Sequence, residues 1–243
     1  VEGGSGVRVL LVGDSNAAML LPAFEAMAED DALTLAAAVY PACPWQRGIN
    51  FGYASEGCER RRLDWYARLV PALDPDVIVL AERPIDDPNN PSPVLVRSDE
   101  GSLVEYGTKE FNDVLREVSD ATLDELRDAG RKVVVIEPLP MTPKAFDPLA
   151  CISQARYLDE CRFVASAGPT PFERYLRSIA GADLWSFDFD QAACPYLPIC
   201  DPLVNGMIVR GRANSHLTQE FATSLADEID TAFVDSGVLS EET

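Results

Sequence analysis

The chain has 243 residues, of which 47% are apolar and 8% aromatic, enough to bury one large core or two small ones, and this excludes disorder, collagen and coiled coil. Forty acidic residues against 20 basic ones give a net charge of −20, which repels phosphate backbones and anionic lipid heads and so argues against nucleic acid and acidic membrane surfaces as partners. No apolar run approaches the roughly 20 residues that cross a bilayer.

Residues 1–6 (VEGGSG) read as a flexible lead-in or a cloning remnant, and residues 7–243 as a single domain. The run VRVLLV at 7–12 is a strand buried on both faces. Gly13-Asp14-Ser15 follows, then an Ala-, Met- and Leu-rich helix over 16–29 and a second strand over 33–39. Residues 41–58 read as a loop. Residues 59–70 form a helix with Arg60, Arg61 and Arg62 on an exposed face. A third buried strand covers 76–81. Residues 83–106, with Pro84, Pro88, Pro91 and Pro93, read as an irregular insertion. Thr108 caps a long amphipathic helix that ends at Gly130. A fourth strand covers 132–136. Helices follow over 149–167 and 171–179, then a fifth strand over 183–187. Asn205-Gly206 marks a hairpin within a loop, and a closing helix begins at His216.

Strands alternating with helices predict an α/β fold with a five-stranded, mostly parallel sheet in a flavodoxin-like order and helices on both faces. Ligands of such sheets bind at the carboxyl ends of the strands. Ser15, Glu82, Pro138 and Asp188 fall there.

Six cysteines lie in three pairs close in sequence: Cys43 and Cys58, Cys151 and Cys161, Cys194 and Cys200. Near-neighbour disulfides are the simplest connectivity. Zinc is the rival, although the chain has no CxxC and one histidine. Disulfides imply an oxidising compartment. The chain then reads as an exported piece of something longer.

Ser15 sits after a buried strand and at the start of a helix, where unpaired N–H groups and the helix dipole favour an oxyanion. A simple N-cap would use the same position. His216 is the one histidine and is suited to act as a base near neutrality. Glu82, Arg83, Asp86 and Asp87 read either as paired carboxylates of a glycosidase site or as a solvated loop, the latter being the simpler.

Gly13-Asp14-Ser15 resembles the first block of the SGNH (GDSL-like) hydrolases and acyltransferases, and Ser215-His216-Leu217-Thr218 their last. Cys43-Pro44-Trp45, the arginines after Cys58, PDVIVLA at 75–81 and the Cys194/Cys200 pair are similar to one branch, the extracytoplasmic SGNH domain fused behind an acyltransferase-3 membrane domain. The resemblance implies a three-layer SGNH fold and O-acylation, often O-acetylation, of a cell-envelope glycan. It implies Ser15 as nucleophile and His216 as base, with no metal or organic cofactor. The partners implied are an acyl donor, a glycan acceptor and the membrane domain that tethers the protein.

Two departures stand out. The family's Asp three residues before the His is Ala213 here, so that Ser15 and His216 form a dyad, or Asp188, Asp190 or Asp201 stands in. The GxND block is replaced by Ala81-Glu82-Arg83-Pro84. The oxyanion hole then falls to the N–H groups of Ser15 and Gly48, and loss of one such donor typically costs about 2.7–4 kcal/mol. Asn16 either touches substrate or caps the helix. Two other readings are a catalytically inactive glycan-binding domain serving the membrane partner and a secreted carbohydrate esterase.

Overall fold

A computed structural model describes residues 6–30, 33–52, 57–92, 94–98, 101–128, 130–211 and 216–239. The 1–6 lead-in therefore lies outside the described residues, apart from Gly6. Five strands make the central sheet: β1 (Arg8–Gly13), β2 (Thr34–Val39), β3 (Val77–Ala81), β4 (Lys132–Ile136) and β5 (Leu184–Phe187). Every pairing is parallel and the order is β2-β1-β3-β4-β5. The order steps outward from β1 in both directions, so the switch point of the winding lies at β1, where such sheets bind ligands.

Strand side chains alternate between two cores. Val9, Leu11, Val77, Val79 and Val134 face one layer, made by α1 (Ser15–Asp30) and by the closing helices. Leu10, Val12, Ile78, Leu80 and Val133 face the other, which includes α2 (Lys109–Arg127) and α3 (Pro171–Ile179). Both faces are buried, which is why β1 and β3 read as unbroken apolar runs. On α1, Ala17, Leu20, Phe24, Met27 and Ala28 are buried at helical spacing.

The punctuation expected of the sequence is present. Thr108 accepts from Phe111 N and caps α2. Thr170 and Glu173, which were not among the expected caps, form a capping box on α3. Leu203–Val204 and Met207–Ile208 pair antiparallel about Asn205 (φ +51°) and Gly206 (φ +82°), the geometry a two-residue I′ hairpin needs. All three near-neighbour cysteine pairs are disulfides.

Several expectations need correction. Residues 149–167 are not one helix. Pro148–Gln154 is followed by a 3-10 turn at Leu158–Cys161 and a strand, Phe163–Val164, paired with Ile199–Cys200. The disulfide decides this. Ten residues of helix would separate Cys151 from Cys161 by about 15 Å, whereas their Cα atoms are 5.7 Å apart. The 83–106 insertion is not irregular, because Val94–Arg97 pairs antiparallel with Leu103–Glu105 and with Ile49–Phe51 from the 41–58 segment. Arg62 is not on an exposed face. It lies one turn from Cys58, which is tied to Cys43, and it buries its guanidinium against Pro44 O (3.1 Å) and Asn50 Oδ1 (3.2 Å). The helix starting at Cys58 widens to a π-turn over Trp65–Leu69, ahead of Pro71, which has no N–H to donate.

Candidate active site

β1 hands the chain to α1 through Gly13, Asp14 and Ser15. Gly13 has φ +150°, and a Cβ there would sit 1.8 Å from the Ala81 carbonyl oxygen and 2.9 Å from Ala17 Cβ. The turn is therefore pressed against β3 and open only to glycine. Asp14 is buried and caps α1. Its Oδ1 accepts from Asn16 N (2.7 Å) and Asn16 Nδ2 (3.2 Å), its Oδ2 from Arg83 N (3.2 Å), and its carbonyl from Ala18 N (3.0 Å). The cap role left open for Asn16 thus belongs to Asp14, and the Asn16 amide is turned onto that carboxylate. Ser15, first residue of α1, is left half-buried at the sheet's carboxyl edge.

His216 arrives from the other end of the chain. It is not helical, in contrast to the expectation, because Thr218 takes the N-cap by accepting from Phe221 N and the helix α4 (Gln219–Ser224) starts after it. His216 instead ends an antiparallel return. Gly211 N donates to His216 O (2.8 Å), Arg210 bridges Leu217, and Thr218 N donates to Val209 O (3.0 Å). Leu217 N contacts Met19 Sδ at 3.4 Å, which ties the return to α1. The result is a distance of 3.0 Å between His216 Nε2 and Ser15 Oγ.

The electrostatics around the pair are unusual for a Ser-His site. Burial holds the His216 pKa below its ordinary value, and the Arg210 cation pushes it further down. Arg210 is itself buried and lowered to about 10, opposed by Asp190. Asp190 is raised to about 7, first by burial and then by Asp188 and Glu137. Among the described residues, the three acids considered as stand-ins each face a cation. Asp188 accepts from Arg177 Nη2 (2.8 Å), Asp201 from Arg162 Nε (2.5 Å), and Asp190 acts on Arg210. Ala213 lies outside the described residues. A lowered histidine is neutral, and able to accept a proton, throughout the neutral range. The acid limb of kcat/KM is therefore expected below the ordinary histidine value of about 6.5. Arg210→Met should move that limb upward, which a pH–rate profile of the two proteins reads directly.

A family model described as the SGNH domain fused to AT3 domains matches residues 2–231. The chain belongs to this family. Among curated proteins no match is found. Among solved structures, this SGNH domain is similar to the Salmonella ser. Paratyphi A lipopolysaccharide acetyltransferase periplasmic domain. The TM-score is 0.65 at 14% identity, covering 96% of this chain and 85% of that one. At that identity the likeness is one of fold.

Other expected site residues of the SGNH domain lie elsewhere. Gly48 O accepts from Ser98 N (2.8 Å), and Gly48 faces Val118 of α2 and lines a cleft of about 480 Å³ with Arg47, Arg62, Arg97 and Glu125. Neither Ser15 nor His216 lines that cleft. Glu82, Asp86 and Asp87 are buried, not a solvated loop. Asp86 Oδ2 accepts from Phe172 N (2.8 Å) at the start of α3, Asp87 Oδ1 accepts from Asn89 N (2.8 Å) and from the Ser166 hydroxyl, and Glu82 Oε1 accepts from Gln46 Nε2 (2.6 Å). Each carboxyl is bound to its own partner within the fold. Arg210 and Gln46 were not legible as site neighbours, since each is a single polar residue in a segment without periodicity.

Among the described residues no helix is long and apolar enough to cross a membrane.

Proposed function

We propose that this SGNH domain, spanning residues 7–243, performs the acyl transfer of an extracytoplasmic O-acyltransferase through a Ser15 acyl-enzyme. The observation that carries the reading is the 3.0 Å approach of His216 Nε2 to Ser15 Oγ. Ser15 Oγ attacks the carbonyl carbon of an acyl donor while its proton passes to Nε2. The oxyanion forms against the positive end of α1, with the Ser15 backbone N–H as donor. The intermediate collapses, the carbonyl re-forms, and the leaving group takes the proton from His216. A sugar hydroxyl then gives its proton to the neutral His216 and attacks the acyl-Ser15 carbonyl, which releases the acylated sugar and restores Ser15. Water in place of the sugar gives hydrolysis as a side reaction.

The compartment is supported by three disulfides, which persist where thiols are oxidised. The membrane partner is supported by the family, whose SGNH domains are fused to AT3 domains; that domain would tether this one to the cytoplasmic membrane and relay the acyl group. A cell-envelope glycan as acceptor and acetyl as the group are supported by the fold shared with a lipopolysaccharide acetyltransferase domain.

A second reading, an inactive glycan-binding domain, is favoured by one observation: the Arg210 cation acts on His216 and opposes its protonation. Turnover of a small acetyl ester separates the two. The wild-type protein is expected to turn over slowly. Ala213→Asp, which puts back an acid to orient the ring, is expected to turn over faster, by up to about 10⁴-fold. If neither protein gives turnover or an acyl adduct, the catalytic reading fails.

A further inference from the structure

We infer that Glu82 is a neutral carboxylic acid, joined to Gln46 by two reciprocal hydrogen bonds, and that this pair positions the turn bearing Ser15. The positioning part rests on Ser15 being the nucleophile; the protonation state does not.

Glu82 follows β3 directly, next to the turn, because Ala81 pairs with Gly13 in the sheet. Gln46 comes from the segment that the Cys43–Cys58 disulfide closes. Both side chains are buried. Gln46 Nε2 donates to Glu82 Oε1 at 2.6 Å. The remaining atoms of the same two groups, Gln46 Oε1 and Glu82 Oε2, are both buried and have no hydrogen-bond partner among the described residues. Each is an acceptor lacking a donor. Two such orphans on one hydrogen-bonded pair of side chains are a costly arrangement if Glu82 is ionised, although the Trp45 N–H favours that form. One proton on Oε2 resolves both, because the acid O–H then donates to Gln46 Oε1 and closes an acid–amide ring.

The surroundings place that proton on Glu82 and not on its neighbour. Asp14, at the end of β1, faces Glu82 and raises its proton affinity. Burial pushes the Asp14 carboxyl up as well, but its oxygens receive three N–H donors from Asn16 and Arg83, which favour its ionised form. Arg62, from the helix beginning at Cys58, acts in the opposite direction. Tyr66, on the same helix, is buried beside them, and its hydroxyl is committed to Trp45 O (2.6 Å). From the α3 side, Asp86 and Glu173 line with Glu82 a void of about 10 Å³, room for one water at most. Two adjacent ionised carboxylates would repel across a dry contact; one acid and one carboxylate do not. Arg83 N, the residue after Glu82, holds Asp14 Oδ2. The Gln46–Glu82 ring therefore fixes the strand end that fixes the cap of α1.

The test is difference infrared spectroscopy of wild type and Glu82→Gln at neutral pH, combined with thermal unfolding and acetyl-ester turnover. Gln at 82 can rebuild both hydrogen bonds with Gln46. The expected results are loss of one protonated-carboxyl C=O band in the variant, and a thermal midpoint at or above wild type. Glu82→Ala, which orphans Gln46, is expected to lower kcat at least tenfold with KM little changed, and Glu82→Gln to restore kcat to within about threefold of wild type. Glu82 protonated in the fold contributes stability at low pH that is lost as pH rises through its folded pKa. The midpoint advantage of Glu82→Gln should thus grow from pH 5 to pH 9. An unchanged protonated-carboxyl region means an ionised Glu82 served by a buried water and overturns the inference, as does a Glu82→Gln protein that fails to fold. If no protein turns over ester yet the band is lost, the protonation stands and only its catalytic role falls with the proposed function.

Discussion

Ser15→Ala is expected to lower acetyl-ester turnover by at least about 10³-fold, to the level of uncatalysed hydrolysis or of the residual oxyanion site. The size of the effect follows from the geometry. Ser15 Oγ is the hydroxyl that His216 Nε2 reaches at 3.0 Å, and no other step supplies the covalent intermediate. Stability should change little, because Ser15 is half-buried at the first position of α1 and the cap is made by Asp14. His216→Ala should give a comparable loss, and the double variant should be no worse than either single one, as for groups that act as a unit. Additive losses in the double variant would mean that the two side chains act separately.

Gly13→Ala is expected to be severely damaging. The added carbon would meet the Ala81 carbonyl oxygen at 1.8 Å and Ala17 Cβ at 2.9 Å. Neither neighbour is the end of a flexible side chain. One is backbone in β3 and the other is the first buried residue of α1. Relief requires β1 and β3 to part or α1 to lift, and either moves Ser15 away from His216. A cost of several kcal/mol is expected, of the class produced by strained backbone and overpacking together. Denaturant unfolding should show it as a lower midpoint, with turnover lost even where the variant remains folded. A variant with wild-type stability would mean that the turn is looser than its contacts imply.

Parts of this site were readable from residue order alone. Gly13-Asp14-Ser15 after VRVLLV marks a strand-to-helix turn because only a buried parallel strand is apolar on both faces. The parallel sheet follows from alternation of elements, and the three disulfides follow from three close pairs of cysteines. Local chemistry also set Thr108 and Asn205-Gly206 at their cap and turn.

Long-range contacts were not readable. The 149–167 segment has helical composition, but closing Cys151 onto Cys161 is incompatible with a continuous helix. Glu82, Asp86 and Asp87 look solvated because charge predicts exposure. They are buried because partners distant in sequence, Gln46, Phe172 and Ser166, satisfy them. Arg62 is hidden for the same reason: its acceptors at Pro44 and Asn50 are brought to it by a disulfide. The approach of His216 to Ser15 was inferred from family resemblance, whereas its physical origin, the return of 209–211 against 216–218 and the Leu217–Met19 contact, has no signature in either segment.

The most direct test is peptide mapping by mass spectrometry after brief exposure to an activated acetyl ester and acid quench. One acetyl group on Ser15 in the wild-type protein, absent from His216→Ala, is the predicted result. Acetylation that spares Ser15, or that reaches Ser15 equally without His216, would contradict the acyl-enzyme account.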